Sequence, residues 1–180
     1  MSYSIFRCQS INTLEDLSHI GSHNKREKES YKSNPDIRKT DSINNIELVK
    51  CNSKYREKFY EITKEYKKEH DEKMKTIRQD RYKTFDQMVD DSKSCVADEM
   101  IFTSGPEFFK DMSKEEILRW TNGCMEFVYK DLGYTKEQVI QSVLHLDERT
   151  PHIHCVVVPL VKKFDKRVNK ERYSISKRDY

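Results

Sequence analysis

Apolar and polar residues alternate from Tyr3 to Ile11, with Ile5 and Phe6 as the apolar content, and predict a first β-strand. Residues 12–45 are polar, with helix-like fragments around Leu14 to His19 and a loop near Asn34-Pro35. Tyr55, Phe59, Ile62 and Tyr66 then recur at steps of four, three and four. That spacing puts one apolar stripe on a long charged helix running from about Ser53 towards Met74. A shorter helical piece spans Tyr82 to Val89, and Cys95 to Thr103 reads as a strand closed by Ser104-Gly105-Pro106. Ser113 and Glu116 have capping-box spacing, and Ile117, Leu118, Trp120, Met125 and Val128 fill a helix ending near Gly133. Two further strands, Gln138 to Leu146 and His152 to Leu160, flank the turn-prone stretch Asp147 to Pro151 and read as a hairpin. The continuous run Val156-Val157-Val158 suits a central strand covered on both faces. The pattern predicts an α+β domain, an antiparallel sheet with helices packed on it.

A chain of 180 residues suits one domain over 1–180, with the charged segment 50–92 as a candidate protruding helical arm. Charged residues (36%) match apolar ones (35%), so the surface is heavily solvated and the core modest. The net charge of +3 is unevenly spread. Residues 162–180 carry eight Lys or Arg against three acids and read as a basic tail, and a second basic stretch runs from Lys25 to Lys39. Such flanks favour a polyanionic partner, nucleic acid first. Five cysteines without a CxxC spacing exclude a disulfide framework or a cysteine-rich zinc module. No signal-peptide-like run and no stretch of membrane-spanning length is present, which leaves a reducing cytoplasm as the expected location. Cys155, on the strand face opposite His154, reads as a small core residue.

The chemistry concentrates in one place. Half of the six histidines, His145, His152 and His154, fall within ten residues. Side chains alternate along a strand, so His152 and His154 share a face while Ile153 turns to the core. With His145 opposite them across the hairpin, and Asp147 and Glu148 close by, three imidazoles converge on a metal site with positions left open for substrate. A second constellation, Ser22-His23-Asn24-Lys25-Arg26, sets a histidine and an arginine three residues apart. Tyr55, Tyr60 and Tyr66 admit either base stacking or plain packing.

Three stretches carry a resemblance: Met1-Ser2-Tyr3, His23-Asn24-x-Arg26, and His145-Leu-Asp-Glu148-x-Thr-Pro-His152-x-His154. Together they resemble the plasmid mobilisation and recombination proteins, the Mob/Pre family of MobV-class relaxases, and within it the mobilisation proteins of small staphylococcal plasmids. The likeness covers nearly the whole chain, including Asp98-Glu99-x-Ile101-x-Thr103-Ser104 and Phe108-Phe109.

The resemblance implies an HUH-endonuclease-like fold whose histidine-bearing central strand faces single-stranded DNA. It makes His145, His152 and His154 the metal ligands and His23 the nucleophile. Arg26 would bind or neutralise phosphate, and Glu148, with Asp147 as the lesser candidate, would orient or deprotonate a neighbouring group. Asn24, Lys25, Arg26, Arg149, Lys162 and Lys163 are the expected DNA contacts. The partner implied is single-stranded or hairpin origin-of-transfer DNA. The reaction implied is a nick through a covalent 5′-phosphoryl-histidine link, serving mobilisation and recombination. Three imidazoles favour Mn²⁺ ahead of Mg²⁺. Some relatives carry a tyrosine in the Asn-x-Glu-Leu stretch; here Asn45-Ile46-Glu47-Leu48 has Ile46 at that position, so no tyrosine acts from there. Relatives are commonly longer, so the chain reads as the N-terminal part of a longer protein, any homodimer forming through regions outside it. Two other readings stay open: a three-histidine metal hydrolase, and a DNA-binding module with a structural metal. A histidine-triad nucleotide hydrolase would need a third alternating histidine where Val156 stands.

Overall fold

The computed structural model describes residues 3–32 and 34–179. Its centre is a five-stranded antiparallel sheet of β1 (Ile5–Ile11), β2 (Ile46–Val49), β3 (Ala97–Thr103), β4 (Val139–His145) and β5 (His152–Val157), in the order β1-β3-β5-β4-β2. The histidine strand β5 is therefore central, as its valine run requires. The strand pairing sets His145 opposite His152 and Val143 opposite His154. One face of the sheet thus carries all three histidines.

The opposite face presents Met100, Phe102, Leu144, Ile153, Cys155 and Val157 to α6 (Lys114–Glu126), which supplies Cys124 and Met125 to the same cluster. Cys155 is fully buried there, the small core residue its position predicts. Ser113 and Glu116 cap α6 reciprocally, and the chain after it ends at Gly133 with φ of +78°, a conformation glycine adopts without steric cost.

The histidine face is covered at its far end by α1 (Leu14–Asn24), α2 (Tyr55–Ile62) and α4 (Phe85–Asp90), with Leu14, Leu17, Tyr55, Phe59, Phe85 and Val89 joined to Ile140, Val156 and Val158. The segment 50–92 is no protruding arm; its apolar stripe is part of this core. Helix α1 comes so close to α2 that a Cβ on Gly21 would lie 2.8 Å from Cγ of Tyr55. The single long helix expected from Ser53 to Met74 is divided at Thr63, which is fully buried and sits at φ −92°, ψ 12°. Its hydroxyl bonds back to the Phe59 carbonyl at 2.7 Å, a side-chain competition that bends helices. After the break, α3 (Lys64–Met74) brings Tyr66 and His70 edge-on to Phe85, at 5.5 and 5.8 Å between rings. Tyr55 and Tyr66 are accordingly packing residues.

The expected basic tail is a hairpin, β6 (Leu160–Asp165) and β7 (Lys170–Ile175), turning through Asn169 at φ +52°. Lys177, just beyond it, ties the end of the chain to the sheet through Asp98 at 2.8 Å. Strand β3 begins at Ala97 rather than Cys95. A short helix, α5 (Pro106–Phe109), leads from β3 towards α6. Among the described residues, no helix is long and apolar enough to cross a membrane.

Candidate active site

Helix α1 runs five residues beyond the fragment its apolar positions predict, and this places His23 in its last turn. The helix closes in a Schellman arrangement: the Arg26 N–H donates to the His23 carbonyl and the Glu27 N–H to the Ser22 carbonyl, both at 3.0 Å. The residue that such a cap holds left-handed is usually glycine; here it is Arg26, at φ +57°. That backbone turn aims the guanidinium back at His23 and into the sheet. The spacing of His23 and Arg26 is thus a helix-cap geometry as well as a chemical pair.

His145, His152 and His154 stand together, their ring centres 4.9 to 5.3 Å apart, and offer one nitrogen each within 4.8 Å of one another. In each ring the other nitrogen is held by an oxygen. His152 Nδ1 donates to the Thr150 carbonyl at 2.9 Å, His154 Nδ1 to Glu99 Oε1 at 2.8 Å, and His145 Nε2 to the Asn24 carbonyl at 3.0 Å. Those bonds fix the tautomers and leave His152 Nε2, His154 Nε2 and His145 Nδ1 as the lone-pair donors. Burial, then the neighbouring His154 and Arg26, hold His145 down to a pKa of about 3, in its neutral, ligating form.

His23 lies against this group, its ring 5.7 Å from that of His154 and 6.3 Å from that of His145. Burial first, then His154 and Arg26, lower its pKa to about 4, so the ring is neutral at physiological pH. Arg26 Nη1 donates to His23 Nε2 at 3.2 Å and orients that lone pair.

Arg26 differs from the expected phosphate ligand. It is buried, and its Nε and Nη2 donate to the two oxygens of Asp147 at 2.8 Å each. Nη2 also reaches Glu148 Oε1 at 2.6 Å and His145 Nδ1 at 3.0 Å. The guanidinium joins the helix end to the turn between β4 and β5, with its donors occupied by protein. Asn24 and Lys25, expected on DNA, are also structural. Asn24 is buried against Tyr55 and Glu99, and Lys25 Nζ donates to the Cys51 and Ser53 carbonyls. Lys162 and Lys163 lie on β6, ion-paired with Glu171 and Asp179. Arg149 is exposed in the turn beside the histidines.

Glu148 bridges Arg26, His152 (3.4 Å) and Asn34 (2.9 Å). Burial opposes its ionisation, but His152, Asn34 and Arg26 together hold the carboxyl well below the usual range, so it orients neighbours better than it accepts protons. Asp147 is fully buried and ionised, bound by Arg26 and by Ser42 at 2.5 Å. Partners that the sequence did not reveal come from the loop before β2. Asn34 holds Glu148, the Arg38 N–H donates to the Asp147 carbonyl, and Asn45 Oδ1 accepts from the Leu146 N–H. Glu99 was visible in the resemblance but not as a site residue.

Residues 1–178 match the family model described as Mob_Pre, plasmid recombination enzyme. The chain belongs to this family. A plasmid recombination enzyme type 1 of Staphylococcus aureus is 33% identical over the whole chain, which spans 40% of that protein's length. A plasmid recombination enzyme from a Bacillus species is 32% identical over 89% of the chain and 34% of its own length. Two solved structures of the MobM relaxase domain, Mn-bound and in complex with plasmid pMV158 oriT DNA, share the Mob_Pre fold seen here. They give TM-scores of 0.68 and 0.69 at 23% and 24% identity, covering 98% and 94% of this chain and 75% and 78% of theirs. The antiparallel sheet with packed helices is therefore the relaxase-domain fold.

Proposed function

We propose that this Mob_Pre chain is the catalytic domain of a relaxase, a metal-dependent, strand-specific DNA endonuclease and strand transferase. Its substrate is single-stranded or hairpin origin-of-transfer DNA, and its work is plasmid mobilisation and recombination. The observation that carries this reading is His23 packed within 5.7 Å of His154, beside three imidazoles that each turn one nitrogen towards the others. Family membership and the DNA-bound, Mn-bound MobM domains support it.

Three imidazole nitrogens with oxygen-anchored tautomers fit a borderline divalent ion, Mn²⁺ better than Mg²⁺. His145, His152 and His154 would hold it, and ligation at His145 Nδ1 would leave Arg26 on Asp147 and Glu148. A bound Mn²⁺ would polarise the scissile phosphate and offset the charge that develops on it. His23, neutral and held in place by Arg26, attacks phosphorus through Nε2 once Arg26 Nη1 releases that lone pair. A P–N bond forms as the P–O3′ bond breaks, and the leaving 3′ oxygen takes a proton from solvent. The 5′-phosphate stays on His23, so the same site can rejoin strands after transfer. Glu148 keeps His152 and Arg26 in place during this exchange. Arg149, exposed at the turn, meets the DNA backbone, and Lys162 and Lys163 contribute only by exchanging their acid partners for phosphate.

The test is to incubate supercoiled origin-of-transfer plasmid with the protein and Mn²⁺. The expected products are a nick and a protein-linked 5′ end that survives denaturation, both abolished by EDTA while the circular dichroism of the protein is retained. A free 5′-phosphate without bound protein would instead establish a metal hydrolase. Unfolding on chelation would establish a structural metal.

A further inference from the structure

Among the described residues, Glu99 is the one acid outside the long histidine motif that reaches the ligand cluster. It lies on β3, where Ile101 pairs with His154, and is only 7% exposed. Its Oε1 accepts two hydrogen bonds, from His154 Nδ1 at 2.8 Å and from Asn24 Nδ2 at 3.1 Å. Asn24 is itself 2% exposed and immediately follows His23. While its side chain holds Glu99, its carbonyl holds Nε2 of His145 at 3.0 Å. Asn24 therefore supports two of the three histidines, His145 directly through its carbonyl and His154 through Glu99. Behind it the network continues through Tyr55, whose hydroxyl lies 3.3 Å from Asn24 Nδ2 and donates to Gln141 Oε1 at 2.5 Å.

We propose that Glu99 is the positioning residue of the metal centre, holding His154 by Nδ1 so that Nε2 is left for the ion, while Asn24 ties that carboxylate to the helix carrying His23. The inference rests on reading His145, His152 and His154 as metal ligands. A buried carboxylate behind a ligating imidazole fixes the tautomer, orients the ring and raises its basicity. Of the three supports only this one carries a full charge; Thr150 and Asn24 contribute neutral carbonyls. Glu99 consequently has the largest lever on metal affinity. Its bond to Asn24 also sets the register between nucleophile and ion, since the two cannot drift apart without breaking it.

The experiment titrates MnCl₂ into the wild-type chain and Glu99→Gln by calorimetry, with thermal unfolding of both as the control for folding. Glu99→Gln should bind Mn²⁺ about 10-fold more weakly or worse. Equal affinity, within twofold, would overturn the proposal, whereas a wild-type chain that takes up no Mn²⁺ would overturn the ligand reading itself. Should Glu99→Gln fail to fold, the wild type still decides. Nitrogen-15 NMR of its histidine rings must show His154 protonated at Nδ1 with a slowly exchanging proton, and a ring protonated at Nε2 would refute the inference. Neither readout depends on cleavage.

Discussion

Replacing Arg26 by Gly and, separately, by Ala separates the two physical demands made on that residue. The guanidinium neutralises Asp147, whose side chain is fully enclosed, and Glu148, whose side chain is 13% exposed. Removing one partner of a buried ion pair costs about 3–5 kcal/mol because the other charge is left uncompensated. Both variants lose that. They differ in backbone, because φ of +57° costs an alanine about 1 kcal/mol that glycine does not incur. Arg26→Gly should therefore lose about 3–4 kcal/mol in urea unfolding, and Arg26→Ala about 1 kcal/mol more. For a domain of this size the first loss lowers Tm by roughly 10 °C. The effect has a defined pH dependence. Asp147 and Glu148 have depressed folded pKa values, so their stabilisation is complete above the unfolded carboxylate pKa of about 4 and is lost as pH falls through the folded values. Without Arg26 those folded values rise, so the gap between wild type and variant should be widest at neutral pH and shrink below about pH 4. A loss under 0.5 kcal/mol for Arg26→Gly at pH 7, or a gap unchanged in acid, would refute this account of the helix cap.

Lys177→Met leaves fully buried Asp98 with Ser10 as its one remaining side-chain hydrogen-bond partner among the described residues; with Lys177 itself half exposed, unfolding should show a loss of about 2 kcal/mol, below the cost of a fully enclosed pair. Gly21→Ala drives a Cβ against the Tyr55 ring, and overpacking of this kind should cost about 1–3 kcal/mol in a thermal melt. Because burial and neighbouring positive charge lower His23 to about 4, adduct formation at saturating Mn²⁺ should keep its rate through pH 6. A limb centred near 6.5 would mean an unshielded histidine.

The sheet, the central place of β5 and the meeting of His145 with His152 and His154 were legible because strand periodicity is two and the valine run marks a strand covered on both sides. What escaped was what depends on distant partners. Asn34, Ser42 and Asn45 look like ordinary loop polars until the turn after His145 is folded against them. Arg26 gave no sign of a left-handed conformation, which a glycine or asparagine would announce, and the resemblance suggested phosphate where the fold supplies Asp147 and Glu148. Thr63 sits inside an unbroken apolar stripe, so the bend its hydroxyl introduces has no periodic signature. The hairpin of β6 and β7 was hidden by charge density, with Asn169 the one turn residue that marked it. Glu99 gave no site signal from its own strand, because the pairing that turns it towards His154 is set by β5, 55 residues away.

The most direct measurement is a denaturing gel of 5′-labelled and 3′-labelled origin oligonucleotide incubated with Mn²⁺ and either wild type or His23→Ala, after calorimetry has shown that both bind the metal equally. Wild type should give a cut strand with its 5′ end retarded by covalent protein, and His23→Ala should give none. A retarded band of undiminished intensity from His23→Ala would contradict the claim that this imidazole, packed beside three others, is the group that attacks phosphorus.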